Sequence, residues 1–250
     1  MILQKELEKQ GNWLFQRRSL LPLVMLVIGI VILYMTFGCF SVMHPFLMLH
    51  WHTLEWSCLV IGLIGVAVRA YTVGFTPVGT SGRNTEGQVA DSLNTTGIYS
   101  VLRHPLYVGN FLMWLSVSLL TCSVGFIVSF VLAYWLYYER IMYAEEQFLS
   151  HKFGKEYRDW AMRTPAIIPN LKHFKSSSLS FSWKKVLKKE KNGVFALFLL
   201  FSIFDSLSAN LSHSLSCNIP LLLMAVVSGV AYLVLKYIKK YTSLLDEQGR

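Results

Sequence analysis

Residues 106–138 read LYVGNFLMWLSVSLLTCSVGFIVSFVLAYWLYY, without a single Asp, Glu, Lys or Arg. A helix needs roughly 20 apolar residues to cross the hydrocarbon core of a bilayer. This run is too long for one such helix. It breaks naturally at Thr121-Cys122-Ser123, before Gly125, and so predicts a tight helical hairpin of two short spans. Three further uncharged runs flank it: Ser19 to Thr53, Trp56 to Val68, and Ser206 to Leu235. The first predicts a span over about Leu20 to Met43. The second extends to about Gly74 if Arg69 snorkels or faces protein. The last region gives two more, Val194 to Leu211 and Ile219 to Leu235. The expected fold class is therefore an all-α integral membrane protein with about six transmembrane helices.

Composition agrees. Only 15% of the 250 residues are charged and 54% are hydrophobic, where a soluble domain carries about 25% charged residues. The cations are also one-sided. All 23 Lys and Arg fall in residues 1–18, 69–103, 139–193 and the tail after Leu235. The intervening connections, Met43–Thr53, Thr121–Gly125 and Ser212–Asn218, hold none. This pattern places both termini and the basic segments on the cytoplasmic side as an expectation. The net charge of +9 then faces anionic lipid head groups. No nucleic-acid partner is expected, because the basic residues flank spans. The apolar run after Arg17-Arg18 is too long for a cleaved signal peptide and reads as a retained anchor. Cys39, Cys58, Cys122 and Cys217 form no C-x-x-C pair and sit in or beside apolar runs, which suggests buried thiols.

Two polar connections remain for chemistry. The first, Phe75 to Arg103, is rich in Gly, Ser, Thr and Asn and reads as a loop. The second begins with Glu139 to Met162, where Ile141, Glu145, Phe148, Leu149, Phe153, Tyr157 and Trp160 recur at helical spacing. That helix continues the preceding span out of the membrane, is interrupted at Gly154, and ends at Pro165 and Pro169. Beyond it, Phe181 to Lys191 alternates aromatics and aliphatics with lysines, as an interfacial amphipathic segment does. The chain thus divides into N-terminal membrane helices and loop (1–90), a core with the hairpin (91–170), and a basic interfacial segment with a C-terminal membrane hairpin (171–250).

Arg103-His104-Pro105-Leu106-Tyr107-Val108-Gly109 opens the central hairpin. Proline suits the first helical position, where its missing N–H costs nothing. His104 is then the N-cap, and the helix start attracts an anion. Arg103, His104 and Tyr107 can share one face, and Gly109 permits close backbone or ligand approach. The plain alternative is a snorkelling arginine, a belt tyrosine and a helix-starting proline. The second element is Glu145-Glu146, then Leu149, Phe153-Gly154, Tyr157, Trp160, Arg163, Pro165 and Ile168-Pro169. Adjacent helical residues point about 100° apart, so one glutamate at most is expected to look squarely into a site.

Together these two elements resemble the signature of the isoprenylcysteine carboxyl methyltransferase and phospholipid methyltransferase superfamily. The resemblance covers about Asp91 to Pro169. It implies an integral membrane enzyme that uses S-adenosyl-L-methionine to methylate a lipid or lipidated substrate at the cytosolic interface, with no Rossmann domain. The chain likewise lacks Gly-x-Gly-x-x-Gly. By position, the resemblance assigns Tyr99, Arg103, His104, Tyr107, Gly109, Glu145 and Glu146 to the cofactor, with Asp91 to Asn94 a further candidate. Arg163 and Tyr157 would sit where substrate meets cofactor. Two departures are the small Ala166 and some 80 residues after Pro169, which include Asp205 within an apolar span.

Methyl transfer from a sulfonium is an in-line displacement, for which the protein supplies orientation and water exclusion. An anionic acceptor needs an electropositive clamp, available from Arg103, Arg140 and Arg163. An amine acceptor needs a base, for which Glu145 or Glu146 could serve. A nicotinamide-dependent sterol reductase is the second reading. Its motif favours Asn before the Tyr, Asp after the Gly and paired aspartates, where this chain has Leu106, Asn110 and Glu145-Glu146. A scaffold or transporter, the third, predicts a polar stripe through several spans, and only Arg69 and Asp205 break the apolar runs. His44, His50 and His52 have only Glu55 nearby in sequence. A metal needs three or four ligands, so no metal is expected. Lone His151, His173 and His213 read as solvated.

Overall fold

The computed structural model describes residues 2–39, 49–77, 88–212, 215–247 and 249. His44 and His213, the end of the first expected span, and most of the Gly- and Thr-rich part of the 75–103 loop lie outside the described residues. Eight α-helices are present among the described residues: α1 (Ile2–Gln16), α2 (Leu20–Tyr34), α3 (Trp51–Gly74), α4 (Pro105–Leu119), α5 (Val124–Phe153), α6 (Lys155–Ala161), α7 (Trp183–Leu211) and α8 (Ile219–Tyr241). A π-helical turn, Met35–Cys39, extends α2.

Five of these are long and apolar enough to cross a membrane: Leu20–Gly38, α3, α5, α7 and α8. The sixth expected span is α4, whose 15 residues fall short of that length. The α4–α5 hairpin turns where the sequence predicts. Cys122 takes a positive φ of 52°, and the Ser123 side chain accepts from Phe126 N at 3.4 Å to cap α5. Gly154, with φ +55°, separates α5 from α6, a backbone state that glycine adopts without steric cost.

Helices α3 and α4 form the most extensive pair, followed by α7 with α8, α1 with α5, and α3 with α7. The α3–α4 contact is close because glycines face each other. A methyl group on Gly65 would lie 2.6 Å from the Gly109 carbonyl oxygen, and one on Gly109 would lie 2.5 Å from Arg69 Cγ. Small residues allow such approach between membrane helices. Leu33, Trp51, Leu59, Val117, Leu120, Leu197, Phe201 and Phe204 fill the middle of the bundle. Lipid-facing side chains include Val24, Val27 and Val31 of α2 and Leu223, Val227 and Val230 of α8, all exposed. The chain is an all-α integral membrane protein.

Three features differ from the sequence reading. Residues 2–16 form a helix, α1, rather than a mere charged flank; Leu3, Leu7, Gly11, Leu14 and Phe15 recur at helical spacing. The basic segment 181–191, expected as an interfacial amphipathic segment, is continuous with a span, since α7 runs unbroken from Trp183 to Leu211. Its lysines extend a membrane helix outward. Of the cysteines, Cys58 is buried as expected, but Cys217 is exposed.

Arg69 faces protein. Its guanidinium donates to both Glu190 carboxylate oxygens, at 2.7 and 2.8 Å, and to Asn110 Oδ1 at 2.6 Å. Side-chain exposure is 13% for Arg69 and 4% for Glu190. The charges thus tie α3, α4 and α7 together below the basic end of the bundle.

Candidate active site

The polypeptide before α4 is lashed to the polypeptide after α6. Arg103 N donates to Pro165 O at 2.9 Å and His104 N to Ala166 O at 3.2 Å. Asn170 N donates to Val101 O at 3.0 Å, and Gly97 N to Lys175 O at 2.8 Å. The Trp160 indole donates to Tyr99 O at 3.0 Å. Proline has no N–H but offers its carbonyl, and Pro165 spends that carbonyl on this clamp. Residues more than sixty positions apart in sequence are therefore one local structure.

Pro105 begins α4 and His104 is its N-cap residue, with no capping bond from its side chain. The imidazole is thus free for the site. His104 Nε2 lies 2.9 Å from Glu146 Oε1, and Nδ1 lies 3.7 Å from Glu145 Oε2. Arg103 reaches Glu146 Oε1 at 3.0 Å and donates to Ala161 O at 2.7 Å. The Tyr107 hydroxyl donates to Glu145 Oε1 at 2.7 Å. Its ring stacks on His104, with centroids 5.8 Å apart.

Both glutamates therefore serve one cluster, where the helical geometry alone suggested one. Their long side chains converge on either side of the His104 ring, and each finds its own further partner. Glu146 takes Arg103 and Glu145 takes Tyr107. Each carboxylate is about a quarter exposed, at 25% and 26%, so a ligand can still reach them. Charge-assisted bonds of this kind are short and strong.

Behind the cluster lies an aromatic wall. The Tyr134 hydroxyl donates to Tyr107 O at 2.8 Å, and the Tyr134 and Tyr138 rings stack at 4.3 Å. Phe15 of α1 packs into the same group. Helix α1 also braces the outer side of α5. Gly11 abuts the Arg140 carbonyl and Ala144, and the Tyr137 hydroxyl donates to Arg17 O at 2.7 Å. Sequence reasoning missed this support for the turn that carries Glu145 and Glu146.

Tyr157 is buried, and its hydroxyl makes no hydrogen bond of ordinary geometry among the described residues. Burial first, and then the negative Glu146 carboxylate, push its phenol well above the usual range. The Tyr99 phenol is raised by burial and by Glu145. Arg103 Nε is likewise buried and unpartnered. The remaining expected residues lie elsewhere. Gly109 faces α3, against Gly65 and Arg69. Arg140 bonds Gln10 of α1 at 3.2 Å. Arg163, in the turn after α6, is exposed and donates to Asp159 O of α6 at 2.9 Å.

The donor set fits a zwitterionic adenosyl amino acid. Arg103 and His104 suit a carboxylate, while the two glutamates suit an ammonium or a ribose diol. The buried, unpaired Arg103 Nε and Tyr157 hydroxyl are polar atoms that such a ligand could satisfy.

Residues 52–156 match the family model described as phospholipid methyltransferase. Over 122 residues the chain is 36% identical to the nickel-cobalt-cadmium resistance protein NccN of Alcaligenes xylosoxydans xylosoxydans, covering 49% of this chain and 54% of that protein. It is 34% identical over 84 residues to the protein-S-isoprenylcysteine O-methyltransferase of Xenopus laevis, covering 34% of this chain and 29% of the relative. A probable protein-S-isoprenylcysteine O-methyltransferase of Oryza sativa subsp. indica is 29% identical over 136 residues, 52% of this chain and 68% of that one. The chain spans about half the length of NccN, and no solved structure matches it. Motifs, membrane helices and matches together support a likeness to the isoprenylcysteine carboxyl methyltransferase and phospholipid methyltransferase superfamily.

Proposed function

We propose that this protein transfers a methyl group from S-adenosyl-L-methionine to a lipid-borne nucleophile at the cytoplasmic membrane face. The observation that carries the proposal is the cluster of Arg103, His104, Tyr107, Glu145 and Glu146 at the start of α4. The cofactor supplies an already activated methyl on a sulfonium. The protein must then hold the donor, align the acceptor and exclude water. Arg103 and His104 hold the donor's carboxylate, and Glu145 and Glu146 hold its ammonium or ribose. Tyr99 and Tyr157, kept as neutral phenols by burial, line the same region without adding charge.

The acceptor is a prenylated-cysteine carboxylate, another lipid anion or a phospholipid amine. The frog and rice relatives are named for isoprenylcysteine, and an anionic acceptor suits the arginines here. Arg163, exposed one turn beyond the buried Trp160, is free to swing toward such an anion. Arg140 remains a more remote clamp residue, since α1 holds it.

Sealed membrane vesicles test donor and orientation together, because the charged donor does not cross a bilayer. Methyl-labelled S-adenosyl-L-methionine added to inverted vesicles should label the lipid extract, and His104→Ala should remove that label. Labelling confined to right-side-out vesicles would reverse the orientation. Absent labelling, with thermal stabilisation by a reduced nicotinamide cofactor, would favour a reductase.

A further inference from the structure

At the start of α3, far from the motif cluster, two carboxylates lie buried with no Lys or Arg partner among the described residues. Glu55 is 0% exposed and Asp205 is 2% exposed. Glu55 Oε2 accepts from Asn218 Nδ2 at 3.1 Å and lies 2.9 Å from His52 Nδ1. Asp205 Oδ2 accepts from the Asn218 backbone N–H at 2.8 Å. Glu55 Oε1 and Asp205 Oδ1 are buried with no hydrogen-bond partner among the described residues. No Lys or Arg occurs in residues 19–53, 56–68 or 206–235. Buried charge without compensation is too costly to persist, so either a proton neutralises a carboxyl group or a cation joins the pair.

We propose that His52, Glu55 and Asp205 bind one divalent first-row transition-metal ion. Each offers a ligand atom, and the three atoms lie within 4.8 Å of one another. Ligand atoms around a zinc-sized ion sit about 3–4 Å apart, a contraction that side-chain rotation can provide. One imidazole and two carboxylates suit zinc, cobalt or nickel, whereas calcium and magnesium prefer all-oxygen sites. The His52 side chain is 45% exposed and gives the ion a route in from water. Its Nε2, 3.5 Å from Ser216 Oγ, is the atom a neighbouring hydroxyl would orient. The ion joins α3 to α7 and, through Asn218, to the start of α8. The sequence conceals this site because Asp205 lies 150 positions from Glu55.

The test uses the full chain, purified without a histidine tag, stripped with a chelator and dialysed against cobalt(II). We expect one equivalent bound per chain, with visible absorption bands of a nitrogen–oxygen site. Asp205→Asn and His52→Ala should each weaken binding by about tenfold or more, while His151→Ala should not. Because His52 is partly exposed, its variant remains informative if Asp205→Asn fails to fold. Undiminished stoichiometric binding in His52→Ala overturns the proposal. So does the absence of retained cobalt in the wild type; a higher Tm in Glu55→Gln would then mean that the two carboxyl groups share a proton.

Discussion

Glu146→Gln is expected to weaken S-adenosyl-L-methionine binding by roughly 10- to 150-fold, the equivalent of one charge-assisted hydrogen bond of about 1.5–3 kcal/mol. The substitution keeps the shape of the side chain but removes the charge that Arg103 and His104 jointly hold. Glu145→Gln should show a loss of the same kind, since Tyr107 and His104 hold that carboxylate in the same cluster. Arg163→Ala should differ, because Arg163 stands exposed outside the cluster. Cofactor affinity should survive there while turnover on an anionic acceptor falls, and Lys should restore only part of it for want of the planar fork. Calorimetry gives the affinities and labelled methyl transfer the rates. Wild-type affinity in both glutamate variants would remove the carboxylates from the cofactor site. Normal turnover in Arg163→Ala would remove that arginine from the acceptor side.

The largest loss of stability is expected from Glu190→Ala. It leaves the Arg69 guanidinium buried beside Asn110 with no carboxylate, and breaking a buried pair in this way costs about 3–5 kcal/mol. Replacing both partners, as in Arg69→Met with Glu190→Leu, should recover most of that loss, because two apolar side chains carry no desolvation penalty. The Lys188–Asp246 pair is a control. It is solvent-accessible, and Asp246→Ala should change stability by less than about 1 kcal/mol. Thermal unfolding in detergent compares the variants. Equal effects of Glu190→Ala and Asp246→Ala would mean that Arg69 has lipid or water to turn to.

Membrane spans were legible because charge is locally decisive: a run without charges names its own solvent. The hairpin turn at Cys122 and the break at Gly154 were legible for a related reason, since small and polar residues interrupt otherwise continuous periodicity. The pairing of the two motifs followed from resemblance, and its physical basis is tertiary. Backbone bonds from Arg103 and His104 to Pro165 and Ala166 leave no mark in either segment alone. The same holds for Arg69, whose partner Glu190 is 121 positions away, and for Glu55 with Asp205. Convergence of Glu145 and Glu146 on one imidazole does not follow from backbone direction, because side-chain length decides it. Helix α1 is masked in the sequence by charges that resemble a flank, although its apolar period is present.

The shortness of α4 has a consequence for the surrounding lipid. Fifteen residues rise about 22 Å at 1.5 Å each, against a hydrocarbon layer of about 30 Å. Its neighbours α3, α5 and α7, at 24, 30 and 29 residues, impose no such deficit. No residue of α4 is fully exposed, so only where α4 meets lipid between its neighbours does the bilayer thin, or do head groups and water follow the chain inward. Either response makes a local dimple over Pro105. An amphiphile drifting laterally into that dimple would bring its polar end to the depth of His104 with its acyl or prenyl chain still among the lipids, so that diffusion in the plane, rather than extraction from it, would set the delivery rate.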